Sequence, residues 1–444
     1  MKIEDLYQIF TEHPEITTDS RCCPEGSIFF ALKGDTFNGN AYAVKALEQG
    51  CSYAVIDEPE CAVDCAGSID KERIILVDNV LDTLQRLANY HRRHLGTTVI
   101  GITGTNGKTT TKELVAAVLS QKFNVLYTQG NFNNHIGVPK TLLRLTKDHE
   151  VAVVEMGANH PGEIKTLVEI VEPDYGLITN VGRGHLLGFG SFEGVVKTKG
   201  ELYDFLREHN GKVFINNDND LLLGISSGLE LIRYGQKEAS GLYTRGCLSD
   251  CNPFLALEWN GHEVPTRLIG AYNIDNALAA IAIGTYFGVE EDAICHAISA
   301  YTPSNNRSQF KRTADNALVI DTYNANPTSM AAAIDNFRNM NADNKMCILG
   351  KMGELGKYSY EEHHALVAKL LTCGFTAIWL VGEEFAEVFA DNSHEDTLPL
   401  SDNIRLFSHV DEVKTVIAAD KPRDKTILIK GSNSTRLFEL PDLL

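Results

Sequence analysis

Gly104-Thr105-Asn106-Gly107-Lys108-Thr109, followed by Thr110, gathers glycines, a lysine and hydroxyls into one short turn. Between a strand and a helix, such a turn directs backbone amides and a helix dipole at phosphate oxygens. Lys108 would add a positive charge and Thr109 a hydroxyl for Mg²⁺. The spacing departs from GxxxxGK[ST], because Ile102 occupies the place of the first glycine. A plain glycine-rich turn with a solvated lysine is the alternative.

Glu155 closes the apolar run Val151-Ala152-Val153-Val154, which puts a carboxylate at the carboxyl end of a buried strand. It suits magnesium, although strand-end glutamates often only face water. His185, on the loop after the run Tyr175–Thr179, could ligate a second metal or be solvated. After Ser191, helical spacing puts Val195, Lys199, Leu202 and Leu206 on one face, with Glu193, Lys197, Glu201, Asp204 and Glu208 elsewhere. A bare ammonium in an apolar stripe is costly unless paired, deprotonated or chemically modified; a snorkelling stem that reaches water is the alternative. Further on, Asp321-Thr322-Tyr323-Asn324-Ala325-Asn326-Pro327 and Lys430-Gly431-Ser432 each follow an apolar run. Such turns hold a ribose, a phosphate or a nucleophile, or simply cap helices.

Elements must bring these residues together. The run Thr98–Thr103, the phosphate turn and a helical pattern over Thr110–Gln121 begin a strand, turn, helix rhythm. It continues through Val151–Glu155, a helix carrying Ile164, Leu167, Val168 and Val171, and Tyr175–Thr179, which implies a parallel sheet covered by helices. Before it, Ser27–Leu32, Tyr53–Ile56 and Ile74–Val77 read as strands of a small α/β unit, and Val80–His94 as the helix leading out. After it, short strands at Ala317–Ile320, Lys345–Leu349, Ala377–Val381, Asn403–Phe407 and Lys425–Ile429 read as a second doubly wound unit, with ligands at the carboxyl ends of its strands. The expectation is an α/β protein of three domains: a small α/β domain over 1–95, a central P-loop-type, doubly wound, mainly parallel sheet over 96–303, and a Rossmann-like domain over 304–444.

With 444 residues, 43% hydrophobic and 22% charged, the composition is that of a globular protein and excludes a fibrous or disordered chain. A net charge of −19 repels nucleic acid, so a polyanionic ligand needs local cations or a metal. The amino-terminal MKIEDLYQIF has no basic head before an apolar core, and no apolar run is long enough to span a bilayer. A cytoplasmic chain with no membrane partner is expected. Ten cysteines do not make a disulfide scaffold in so long a chain, and Cys61/Cys65 and Cys247/Cys251 lack the companions of a zinc site. Reduced thiols are expected.

Taken together, these segments resemble the Mur ligase family through nearly the whole chain. Gly104–Thr109 resembles that family's ATP loop. Gly130-Asn131-Phe132-Asn133-Asn134-His135-Ile136-Gly137-Val138-Pro139 is similar to the asparagine-rich segment of the members that add D-alanyl-D-alanine. The resemblance implies an ATP-dependent, ADP-forming amide ligation, in which D-alanyl-D-alanine joins the terminal carboxylate of UDP-N-acetylmuramoyl-tripeptide through an acyl phosphate. It makes Lys108, His185 and Lys199 catalytic, and Lys199 a carbamylated lysine that holds Mg²⁺ with Thr109, Glu155 and His185. Asn273, Asn276, Arg307 and Asp321 would join the loop around ATP. Ser20 and Arg21, in Asp19-Ser20-Arg21, would hold the UDP-sugar together with the segment Phe30–Asp35. Asn133, Asn134, Tyr323, Asn324 and Asn326 would meet substrate. Two departures stand out: Asn305-Asn306 replaces Pro-Gly, and Gly350-Lys351-Met352 replaces Gly-Asp-Met, so Lys351 receives no role. A monomer acting on small molecules is expected. The rivals are another Mur-type or folylpolyglutamate-synthase-like ligase, or a nucleotide-binding switch without catalysis.

Overall fold

Valine and isoleucine runs bounded by glycine turns become the buried strands of the protein. A computed structural model describes residues 1–63, 71–303, 307–390 and 398–444. Cys65 and the Asn305-Asn306 departure lie outside the described residues.

Among the described residues, three larger sheets follow one another along the chain, besides the short hairpin of Lys33–Gly34 with Phe37–Asn38. The first orders its strands Ile16–Thr17, Ile28–Phe30, Tyr53–Ile56 and Ile74–Leu76, all parallel. The helix Val80–Leu95 leads out of it, its start capped by the Asn79 side chain, which accepts from the Asp82 amide, and its end by Gly96 at φ 66°. Arg92 on this helix donates to the carbonyls of Val171 and Glu172, which ties it to the helix Glu163–Val171 of the next unit.

The second sheet has nine strands, in the order His262–Ile269, Phe254–Trp259, Thr244–Cys251, Glu230–Gly235, Lys212–Asn216, Tyr175–Ile178, Thr98–Thr103, Val151–Glu155, Val125–Tyr127. From Val125–Tyr127 to Thr244–Cys251 the pairing is parallel; the last two pairs are antiparallel. The mainly parallel sheet is therefore as expected, and an antiparallel extension over Thr244–Ile269 adds to it. Its signal was available: His262–Ile269 buries alternate residues, Val264, Thr266 and Leu268.

The third sheet orders Gln309–Arg312, Asn316–Asp321, Lys425–Lys430, Lys345–Gly350, Ala377–Val381 and Ile404–Phe407, with only the first strand antiparallel. The helices Pro327–Asn339, Ser359–Leu371 and Glu383–Ala390 share one core with one face of the sheet, and Val410–Ala419 packs in the core of the other. The last strand, Lys425–Lys430, enters between Asn316–Asp321 and Lys345–Gly350, so chain connections diverge at its carboxyl end. Open α/β sheets bind ligands at such a divergence.

Candidate functional site

Register places the first pair of functional residues. Ile102 lies opposite Glu155 and Thr103 opposite Ile178, so the phosphate turn emerges between Glu155 and the loop that carries His185. Thr103 donates its hydroxyl to the Met156 carbonyl at 2.7 Å, which locks the strand ends together. Gly104 and Gly107 have φ 143° and 79°, a region that disfavours side chains. A Cβ on Gly107 would come within 2.6 Å of Asn276 Oδ1.

The turn differs in one respect from the cradle expected of it. Asn180 accepts the amides of Thr105 and Asn106, at its backbone carbonyl (2.9 Å) and its side-chain oxygen (3.0 Å). The amides left for phosphate are those opening the helix Lys108–Leu119, because its first free amide hydrogens have no earlier turn to bond. Asn180 is thus a scaffold residue of the loop that sequence reasoning missed. Lys108 Nζ folds across the turn and donates to the carbonyls of Gly104 (2.8 Å) and Thr105 (3.0 Å). Desolvation pulls its pKa down to about 8; Glu155 opposes this and Arg307 adds to it.

Glu155 is 1% exposed. Its Oε1 accepts from Asn133 Nδ2 at 2.8 Å, while the buried Oε2 has no partner. An orphaned carboxylate oxygen is costly without a cation, so this atom fits magnesium. His185 Nδ1 bonds Glu354, a carboxylate contributed by the third unit, so Nε2 is the ring nitrogen that would face a cation. Glu354 was not legible as a partner because the sequence separates it far from His185. Among the described residues no group of three or more His, Cys, Asp or Glu side chains forms a metal cluster. A cation here would therefore draw on the Thr109 hydroxyl and on phosphate oxygens as well, as magnesium does at nucleotide sites.

The helix Phe192–Glu208 begins at Ser191, whose hydroxyl accepts from the Gly194 amide, and buries Val195, Lys199, Leu202 and Leu206 as the spacing predicts. Lys199 is 1% exposed, so it does not snorkel. Its Nζ donates to the Ala158 carbonyl at 3.3 Å and lies 5.4 Å from the Phe189 ring centroid. Burial, with the charge of Lys108, drives its pKa well below the usual lysine range.

Asn106, Gly107, Lys108, Thr110, Glu155 and His185 line one cavity of ≈ 340 Å³ together with Asn133, Asn273 and Asn276. Thr105 lines it as well, and so do Arg307, Asp321, Tyr323 and Asn324 from the third unit. Asn273 Oδ1 accepts from Asn276, and Asn276 Oδ1 from the Thr111 hydroxyl, so the asparagine pair is fixed against the phosphate helix. The Arg307 guanidinium sits 3.7 Å from the Tyr323 ring centroid, and its Nε is buried without a partner. Asp321 accepts from Lys430 Nζ at 2.6 Å, and Lys430 is 1% exposed. Lys430 thus belongs to the site, a role that its turn alone did not disclose.

Other expected residues fall outside that wall. Gly104 and Thr109 lie within the turn and at the helix start, and Lys199 sits behind Ala158, which does line the cavity. Asn134 uses its side-chain oxygen on the amides of Ile136 and Gly137, holding the start of a helix. Asn326 caps the helix Pro327–Asn339 and donates to Asn106 Oδ1 at 2.8 Å, so it clasps the phosphate loop. Ser20 is buried, and Arg21 pairs in the open with Asp19 at 2.8 Å; both belong to the first unit. Among the described residues no helix is long and apolar enough to cross a membrane. Cys247 and Cys251 are free thiols.

A second cavity, of ≈ 820 Å³, shares Tyr323 and Asn324 with the first and extends past Lys351, Glu354 and Ser432. The glycine-rich turn and the larger cleft thus share the wall formed by Tyr323 and Asn324.

Comparison with known proteins matches three family descriptions in series. They are the Mur ligase family catalytic domain over 14–92, the Mur ligase middle domain over 102–284, and the Mur ligase glutamate ligase domain over 306–433. A UDP-N-acetylmuramoyl-tripeptide--D-alanyl-D-alanine ligase from Bacillus subtilis strain 168 is 33% identical, over 96% of this chain and 92% of its own length. The crystal structure of MurF from Acinetobacter baumannii aligns with a TM-score of 0.83 at 30% identity, covering 100% of this chain and 98% of that one. MurF ligase from Thermotoga maritima, solved in complex with ADP, aligns with a TM-score of 0.80 at 25% identity, covering 100% and 98%.

Proposed function

The chain belongs to the Mur ligase family, and from that premise we propose that it joins D-alanyl-D-alanine to UDP-N-acetylmuramoyl-tripeptide. It is an ATP-dependent, amide-forming ligase of peptidoglycan precursor synthesis. The observation that carries this reading is a single cavity in which the phosphate loop, the unpartnered oxygen of Glu155 and the Tyr323-Asn324 turn of the third unit meet.

The chemistry follows from that meeting. The tripeptide's terminal carboxylate attacks the γ-phosphorus of ATP; the bond to the β-phosphate oxygen breaks, ADP leaves, and an acyl phosphate forms. The amine of the dipeptide attacks the acyl carbon, phosphate departs, and the amide remains once the amine has lost a proton. The first amides of the helix Lys108–Leu119 and the Lys108 ammonium hold the phosphates while charge moves between them. Thr109, Glu155, His185 Nε2 and a carbamylated Lys199 are the residues that would hold magnesium. Bound there, the ion neutralises charge on the transferring phosphoryl group. The carbamate is supported by the family resemblance and by burial of Lys199 beside the cavity wall. Asn273 and Asn276 face the nucleotide with Arg307 and Asp321, and Ser20 and Arg21 hold the UDP-sugar. Asn133 orients Glu155. The cleft beyond Asn324 excludes water from the acyl phosphate when occupied. The same reading takes 1–95, 96–303 and 304–444 as domains for the UDP-sugar, ATP and dipeptide, in a cytoplasmic monomer.

ADP release measured with each co-substrate withheld in turn, and with a panel of amines and acceptors, tests it. Turnover that needs both the UDP-muramoyl-tripeptide and D-alanyl-D-alanine supports the ligase. Equal turnover with glutamate or with folate acceptors would favour a rival ligase, and turnover with ATP alone a nucleotide switch.

A further inference from the structure

Lys351 replaces the acidic residue of the Gly-Asp-Met pattern, and the fold places it where a ligand must pass. It follows the strand Lys345–Gly350, at the edge where chain connections diverge around Lys425–Lys430. Its amide donates to the Val381 carbonyl at 3.0 Å, and its carbonyl accepts from the Ser432 amide at 3.2 Å, so three strand ends fix its backbone. Its side chain is 37% exposed on the wall of the larger cavity, and among the described residues no other Lys or Arg lines that cavity.

One hydrogen bond orients the ammonium. Lys351 Nζ donates to Glu384 Oε1 at 2.7 Å. Gly382, at φ 136°, makes room for the pair: a Cβ there would lie 2.9 Å from Lys351 Cβ and 3.0 Å from Glu384 Oε2. An ammonium carries three donors, so Lys351 keeps donors for an incoming acceptor. The other acid on this wall, Glu354, is engaged by His185, and Ser432 and Ser434 add hydroxyls on the adjacent turn.

Orientation follows from which walls are shared. Tyr323 and Asn324 border both cavities, whereas Lys351 borders only the one away from the phosphate loop. A dipeptide whose amine reaches the acyl phosphate past Asn324 must lay its other end, a carboxylate, toward Lys351. Resting on the ligase function above, we propose that Lys351, oriented by Glu384, binds the terminal carboxylate of D-alanyl-D-alanine and makes this enzyme selective for a dipeptide with a free carboxyl end.

The test compares D-alanyl-D-alanine with D-alanyl-D-alaninamide, which keeps the amine and loses the anion. A charged hydrogen bond of this kind is worth roughly 10- to 100-fold. The wild type should therefore favour the acid over the amide by about that factor in kcat/KM. In Lys351→Met the preference collapses toward unity through a higher KM for the acid, with KM for ATP and for the UDP-tripeptide unchanged. Lys351→Arg, which retains the cation, keeps most of the preference. An undiminished preference in Lys351→Met, an equal loss toward both dipeptides, or loss of the preference in Lys351→Arg overturns the assignment. Failure of the wild type to ligate either dipeptide would instead sink the ligase function itself, so the two failures are distinct.

Discussion

Glu155→Gln keeps the shape of the side chain and its Asn133 contact but replaces the partnerless buried Oε2 with an amide nitrogen. Activity should fall at least about 100-fold, and the magnesium concentration for half-maximal rate should rise. An unchanged magnesium dependence would remove Glu155 from the metal site. Lys199→Ala should lose activity by a comparable factor, and short carboxylic acids should restore part of it by standing in for the carbamate. A fully active Lys199→Ala would refute the modified lysine. Placement at this scale was partly legible: the glycine turn marked Lys108, the strand end marked Glu155, and helical spacing marked the buried Lys199. Asn180 and Glu354 carried no such mark, and Lys430 showed only as a turn residue without its Asp321 partner, because these contacts span long sequence separations.

Among elements, the phosphate turn is tightly constrained. Gly107→Ala places a methyl group within 2.6 Å of Asn276 and strains φ 79°. It should lower stability by about 1–3 kcal/mol and raise KM for ATP, measured by thermal melting and by steady-state kinetics. The exit helix Val80–Leu95 carries a different sensitivity. His91 bonds the Leu145 carbonyl through Nε2 at 2.9 Å and Tyr7 Oη through Nδ1 at 3.2 Å, the pattern of a neutral ring. Burial lowers its pKa; the Leu145 contact opposes this and His94 adds to it. A neutral buried histidine contributes stability that is complete above the unfolded pKa of about 6.5 and is lost as pH falls below it. His91→Gln should therefore flatten the fall of Tm below that pH; an identical acid slope would discount the ring. Elements of the parallel core could be read from apolar runs because both faces are covered. The hairpins over Thr244–Ile269 carry alternating exposed residues, a weaker signal than continuous burial.

At the scale of the whole molecule, the third unit is clasped to the phosphate loop. Asn326 meets Asn106, Arg183 pairs with Glu362 at 2.9 Å, and Glu354 holds His185. Asn326→Asp retains the helix-capping oxygen but loses the donor to Asn106. Tm should stay within a few degrees of the wild type while kcat falls up to about 10-fold. A large drop in Tm with unchanged kcat would mean that Asn326 serves the helix alone. No reading of sequence could reach this clasp, because it depends on how the units meet. If one cavity carries a complete ligation, the mass of the product shows it. Purified protein is given ATP, magnesium, UDP-N-acetylmuramoyl-tripeptide and D-alanyl-D-alanine. The expected product is the UDP-linked pentapeptide, with one ADP released per amide formed; ADP release without that product would overturn the ligase reading.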